Sequence, residues 1–239
     1  MLLYADPDNT ALTAAGEGQL LYDTELNMRG GRIAGMRIAH PAEMLTAFDK
    51  LREQCTRTYG QPMLFLVGDG NHSLAAAKQC YVERKAAGLP ASRYALVEAV
   101  NIYDEGIVFE PIHRLLKTAD PQDFLQYLRA HVSGAGTTAV YVNGTEYSVQ
   151  IPAGAIDAVK AVQSALDGYV AERGGEIDYI HGASDLRRAA VDGVGILLPA
   201  MAKEKLFGYV AANGVLPRKT FSLGEAEEKR YYLEAARIL

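Results

Sequence analysis

Asp69 and His72 stand three positions apart in the stretch Gly68-Asp69-Gly70-Asn71-His72-Ser73. Those residue types at that spacing suit the handling of an anion. Two glycines let the backbone approach a ligand and take positive φ. The free N–H groups of a following helix start attract negative charge, with about half a charge of macrodipole behind them. Phosphate is the natural guest. A carboxylate at Asp69 repels it unless a cation lies between the two or the group acts as a base. Mg²⁺ fits the first case, because it keeps most of its waters, takes one or two carboxylates and bridges nucleotide phosphates. His72 could donate to a phosphate oxygen or move a proton near neutral pH. The purely structural alternative is that Asp69 or Asn71 caps the helix and His72 bonds locally.

The elements that must position this turn follow from the pattern on either side of it. Met63 to Val67 is an apolar run that reads as a buried strand, and Leu74, Ala77 and Tyr81 recur on one face of a helix from Asn71 to about Ala87. Upstream, Met1 to Tyr4, Leu20 to Tyr22 and Ile33 to Ile38 read as strands. Met44, Phe48, Leu51 and Cys55 mark a helix that Pro41 opens. Downstream come a strand over Tyr94 to Ile102, a helical turn over Pro111 to Leu116, and a helix entered through Asp120-Pro121. Asn143-Gly144 closes a hairpin between Thr137–Val142 and Thr145–Ile151, since both of its residues suit the positive φ of a type I′ turn. Ile156, Val159, Val162, Leu166 and Tyr169 mark a long helix. A strand at 177–180, a helix at 183–191, a strand at 194–198, a helix at 200–210 and a charged helix at 225–238 complete the chain. Alternating strands and helices predict a mixed α/β (α+β) fold. The soft boundary near Thr118 to Pro121 divides it into 1–117, carrying the turn, and 118–239, an α/β subdomain.

The chain has 239 residues, is 49% hydrophobic and carries a formal net charge of -5. Its length supports a substantial core, and its acidity disfavours nucleic acid as a partner. No run reaches the roughly 18 apolar residues of a membrane span, and no signal peptide opens the chain, so the expected place is the cytoplasm. The two cysteines, Cys55 and Cys80, fall on helices among apolar neighbours and are expected to be reduced core thiols. A chain that opens directly on an apolar strand suits a neighbour upstream, either a segment of the same protein family or a second copy.

Val67-Gly68-Asp69-Gly70-Asn71-His72-Ser73-Leu74-Ala75-Ala76-Ala77 resembles the Asp-Gly-x-His-Arg-x-x-Ala signature of the ParB/sulfiredoxin-like superfamily. More closely, the chain resembles the C-terminal portion of the bacterial domain-of-unknown-function family 1015. Members of that family share the Pro-Ile-His-Arg segment at 111–114 and the Pro-Arg-Lys segment at 217–219. The superfamily includes free-serine kinases. The resemblance therefore implies a ParB/sulfiredoxin-like core, ATP or ADP with Mg²⁺, and transfer of phosphate to a small hydroxyl-bearing metabolite.

Carried over by position, the resemblance gives Gly68, Gly70, Asn71, His72 and Ser73 to the phosphates, and Asp69 to the metal or to catalysis beside His72. Ser73 replaces the signature arginine. Arg114 could restore that charge, with His113 in the same pocket and Arg218 and Lys219 as further cations for the anion. On residue types alone, an Arg–Glu surface pair at Glu110/Arg114 and a solvated loop at 216–222 serve as well. The different class of function is a module that binds a nucleotide or small ligand without turnover, which the missing arginine favours.

Overall fold

The computed structural model describes residues 1–224, and the helix expected at 225–238 lies outside the described residues. The chain forms two compact units: Met1–Ile107 with Phe207–Ala212, and Val108–Leu206 with residues 213–224. The chain first passes from one to the other at Ile107/Val108, ahead of the boundary expected near 118. The strand that follows Val108 is the central strand of the second unit's sheet and so belongs with it.

In the first unit, β1 (Leu2–Tyr4) leads to α1 (Thr10–Ala15), the hairpin β2 (Glu17–Glu25) and β3 (Arg32–Ile38), then α2 (Pro41–Tyr59), β4 (Leu66–Val67), α3 (Asn71–Ala86) and β5 (Ala99–Asn101). Strand β1 lies between β4, antiparallel to it, and β5, parallel to it. The core is small: Tyr4, Ala11 and Leu51 are buried, and the Tyr4 ring stands edge-on to Phe48, 5.2 Å away. Asp6, also buried, accepts from the Ala11 N–H and the Thr10 hydroxyl and so fixes the start of α1. Asn101 holds β5 to that corner through the Asp6 backbone: its side-chain carbonyl accepts from the Asp6 N–H, and its amide donates to the Asp6 carbonyl.

Three expectations are corrected here. Val67 is exposed and Leu66 half-buried, so the strand before the turn is short and is not a buried run. The strand expected over Tyr94 to Ile102 is confined to Ala99–Asn101, where β1 supplies a partner. Cys80 is exposed, because α3 buries none of its residues; Cys55 is buried as expected.

The second unit contains β6 (Phe109–Lys117), α4 (Pro121–His131), β7 (Gly136–Val142), β8 (Thr145–Ile151), α5 (Ala155–Arg173), β9 (Glu176–His181), α6 (Ala183–Ala189) and β10 (Val194–Ile196). After α7 (Leu206–Asn213), most of which belongs to the first unit, comes β11 (Phe221–Leu223). The sheet order is β11-β6-β10-β7-β8, with β9 also paired to β6. Asp120 caps α4 by accepting from the Asp123 N–H. The five apolar residues read as the stripe of α5 are all buried, and four of them, Val159, Val162, Leu166 and Tyr169, lie in a core shared with α4 and the sheet.

Pro111 to Leu116 is strand and not helix. Its backbone pairs with β9, β10 and β11, and its side chains are buried on both faces, a tertiary environment that local periodicity does not report. Leu116 enters the α4/α5 core, whereas Leu115 packs with Leu186 and Ala190 on the side of α6. Phe221–Leu223, expected within a polar connector, becomes a strand for the same reason, and Phe221 stacks on Phe109 with ring centroids 4.0 Å apart.

Candidate functional site

The turn expected to carry chemistry lies between β4 and α3. Gly70 occupies the cap position of α3 at φ 87, in the left-handed region, and no side chain caps the helix. A Cβ at Gly70 would meet nothing nearer than the Met1 nitrogen at 3.9 Å, so the space over the turn is open. The Gly68 and Asp69 N–H groups both donate to the Met1 carbonyl, and the Gly70 N–H donates to Asp69 Oδ1 at 2.7 Å. Those three amides are occupied in holding the turn. The amides left to face a guest are those of Asn71, His72 and Ser73, in the first turn of α3, where a helix has no internal acceptor for them. Asp69, Asn71, His72 and Ser73 are all exposed.

The turn belongs to the first unit; His113, Arg114, Arg218 and Lys219 belong to the second. His113 and Arg114 are neighbours on a strand, so their side chains leave on opposite faces. His113 is 4% exposed and shares the α6 side with Leu115, and its Nδ1 accepts from the Leu198 N–H at 3.1 Å. Burial, then the Arg114 and His181 charges, push its pKa down to about 4, so His113 is neutral at neutral pH. Arg114 is fully buried. Its Nε donates to Gln163 Oε1 at 2.7 Å, one terminal nitrogen to the Ile112 carbonyl at 2.7 Å and the other to the Lys219 carbonyl at 3.0 Å. Its guanidinium lies over the Tyr179 ring, 4.8 Å from the centroid. Desolvation lowers its pKa, and Tyr179 and Asp167 act in the opposite sense.

Arg218 and Lys219 are exposed, with Lys219 at φ 57. The Thr220 hydroxyl closes their loop by donating to the Pro217 carbonyl. The structure thus brings Arg114 and Lys219 together and sends His113 to the other side of the sheet. Gln163 and Tyr179, which hold Arg114, carried no signal in the sequence, because their relation to it exists only after β9 and α5 have folded around β6.

Among the described residues no three His, Cys, Asp or Glu side chains gather to hold a metal ion. Asp69 retains one carboxylate oxygen not bonded within the turn, which fits an ion held mainly by water and phosphate and does not fit a protein-built cage. A cavity of about 550 Å³ lies between α1 and α2, lined by Thr10, Glu43, Lys50 and Gln54 among others; none of the expected site residues lines it. No helix among the described residues is long and apolar enough to cross a membrane.

The fold is therefore that of a mixed α/β protein with several sheets, carrying a glycine turn at a helix start. The model of the family described as "Protein of unknown function (DUF1015)" matches residues 1–169, and the chain belongs to that family. No curated protein matches it. Among solved structures, it is similar to a conserved hypothetical protein from Pyrococcus furiosus, with a TM-score of 0.45 and 19% identity, covering 74% of this chain and 82% of that one. It is also similar to a free serine kinase mutant in complex with AMP, with a TM-score of 0.47 and 18% identity, covering 74% and 79%. A mutant of a free serine kinase in complex with ADP gives a TM-score of 0.46 and 18% identity over the same shares.

Proposed function

We propose that this protein binds a nucleotide, ATP or ADP, by its phosphates at the amino end of α3 and transfers phosphate to a small hydroxyl-bearing metabolite in the cytoplasm. We assign the turn to a ParB/sulfiredoxin-like core. The observation that carries the proposal is the uncapped helix start. Gly70 turns the chain into α3 without placing a side chain over the first-turn amides, and Asp69 and His72 flank them in the open.

In phosphoryl transfer the protein mainly positions groups and neutralises charge. The amides of Asn71, His72 and Ser73 would cradle the phosphate, with the His72 ring donating to an oxygen. Mg²⁺, when bound, would be held by the remaining Asp69 oxygen and would offset phosphate charge. Asp69 is also the one acid in the turn that could accept the proton of the attacking hydroxyl.

One observation favours the second reading, a module that binds without turnover. Asp69 already accepts from the Gly70 N–H, so part of its charge serves the turn itself. Calorimetry with ATP and ADP, with and without Mg²⁺, on wild type, Asp69→Ala and His72→Ala tests the binding. Product analysis over a panel of hydroxyl-bearing metabolites then separates enzyme from sensor. Wild type that binds neither nucleotide rules out the enzyme and the nucleotide-binding form of the module alike.

A further inference from the structure

We propose that the second unit holds a site of its own for one small oxyanion, a carboxylate or a single phosphate, on the α5 face of β6 and its neighbours. The inference is independent of the nucleotide reading at α3.

Alternation along β6 puts Glu110, Ile112 and Arg114 on one face. In the register of the sheet, Ser222 lies opposite Glu110, His181 opposite Ile112 and Tyr179 opposite Arg114. Side chains paired in this way share a face, with Cβ atoms about 5 Å apart. Among the described residues, two buried side-chain atoms lack any hydrogen-bond partner, His181 Nδ1 and Ser222 Oγ. Both are on this face. Native proteins rarely leave such atoms unsatisfied, and each one asks for a partner.

The charge balance says what kind of partner. Arg114 is buried, yet its direct acceptors are one amide oxygen and two carbonyls, none of them charged. The nearest carboxylate in that chain of bonds, Asp167, stands one step behind, bonded to the Gln163 amide. A guanidinium has five N–H groups, and these bonds occupy three. A buried cation is costly until an anion or a full set of hydrogen bonds meets it. Lys219, with its ammonium 6.0 Å from the centroid of the Tyr179 ring, adds an exposed second cation to the same neighbourhood. Spare guanidinium N–H groups, a seryl hydroxyl and an imidazole nitrogen that can carry its proton are all donors, which an oxyanion satisfies together.

Glu110 sets the limit. It stands opposite Ser222 on the same face, so a second negative charge on the ligand would meet it. A polyphosphate is disfavoured, and a group with one acidic head is preferred.

The test uses the full chain labelled with ¹⁵N-histidine, titrated with sodium acetate and, separately, with inorganic phosphate, with ionic strength held constant by chloride. The expected result is a saturable shift of the His181 ring nitrogens, assigned by loss of the signal in His181→Gln and kept in full in His72→Ala; any movement of the His72 signal reports the α3 turn on its own titration curve. Saturation by acetate points to a carboxylate ligand and saturation by phosphate to a phosphoryl one. Ser222→Ala should weaken the binding at least tenfold. Lys219→Asn, which removes the charge and keeps a residue that tolerates positive φ, should weaken it severalfold, and it serves in place of Ser222→Ala should that variant fail to fold. A site filled by water alone gives no saturable shift with either anion and overturns the proposal, as does a folded Ser222→Ala that keeps full affinity. An ATP titration read at His72 reports on the α3 turn separately, so the two proposals fail independently.

Discussion

The Arg114 guanidinium donates to the Lys219 carbonyl, 105 residues further along the chain, and Gln163 Oε1 of α5 accepts from the Nε–H of the same group. One buried cation thus ties a central strand, a helix and a surface loop together. Gln163→Leu keeps the volume but removes the acceptor, leaving a charged donor unsatisfied in the interior. The expected loss is about 1–3 kcal/mol, read as a lower urea midpoint of the second unit with the slope unchanged.

His113 makes the second unit acid-sensitive. Its pKa falls from an ordinary 6.5 in the unfolded chain to about 4 in the folded one, because burial disfavours the charged ring. The unfolded state therefore binds the extra proton first. Stability is fully present above about pH 6.5 and is lost as the pH falls towards 4, by roughly 3 kcal/mol at most. Denaturation curves at pH 7, 5.5 and 4.5 should show that decline, and His113→Gln should flatten it.

Asn143 and Gly144 form the tip of the β7/β8 hairpin with φ of 47 and 79. A Cβ at Gly144 meets nothing, so Gly144→Ala pays only for the left-handed backbone. The expected destabilisation is about 1 kcal/mol, measured by chemical denaturation.

That hairpin was legible because its signal is local: two residues whose backbone preference matches one turn type, between two alternating runs. The α5 stripe was legible for the same reason, since five apolar residues at helical spacing need only one face to bury. The Gly70 turn also carried its own conformational signature. The segment 111–116 did not. Its proline, histidine and arginine look polar and broken in one dimension; they become a buried strand because β9, β10 and β11 pair its backbone and Leu198, Gln163 and Lys219 bring partners for its polar side chains from far along the chain. The same non-locality hid the separation of His113 from Arg114, which follows at once from the strand's two-residue period.

The roles of Asp69 can be separated by two substitutions, because one of its oxygens holds the turn and the other is left over. Asp69→Asn preserves an oxygen to accept from the Gly70 N–H and removes the charge; Asp69→Ala removes both. If the carboxylate served only the turn, the asparagine variant would match wild type throughout. On the proposed function it should bind ATP within a few-fold of wild type in the absence of Mg²⁺, gain little when Mg²⁺ is added, and lose turnover by about 100-fold or more. The alanine variant should bind ATP weakly with or without Mg²⁺, since the turn that presents the α3 amides is no longer fixed. Calorimetry on the three proteins, each with and without Mg²⁺, reads the binding half of this pattern. A single-turnover assay with labelled ATP reads the other half.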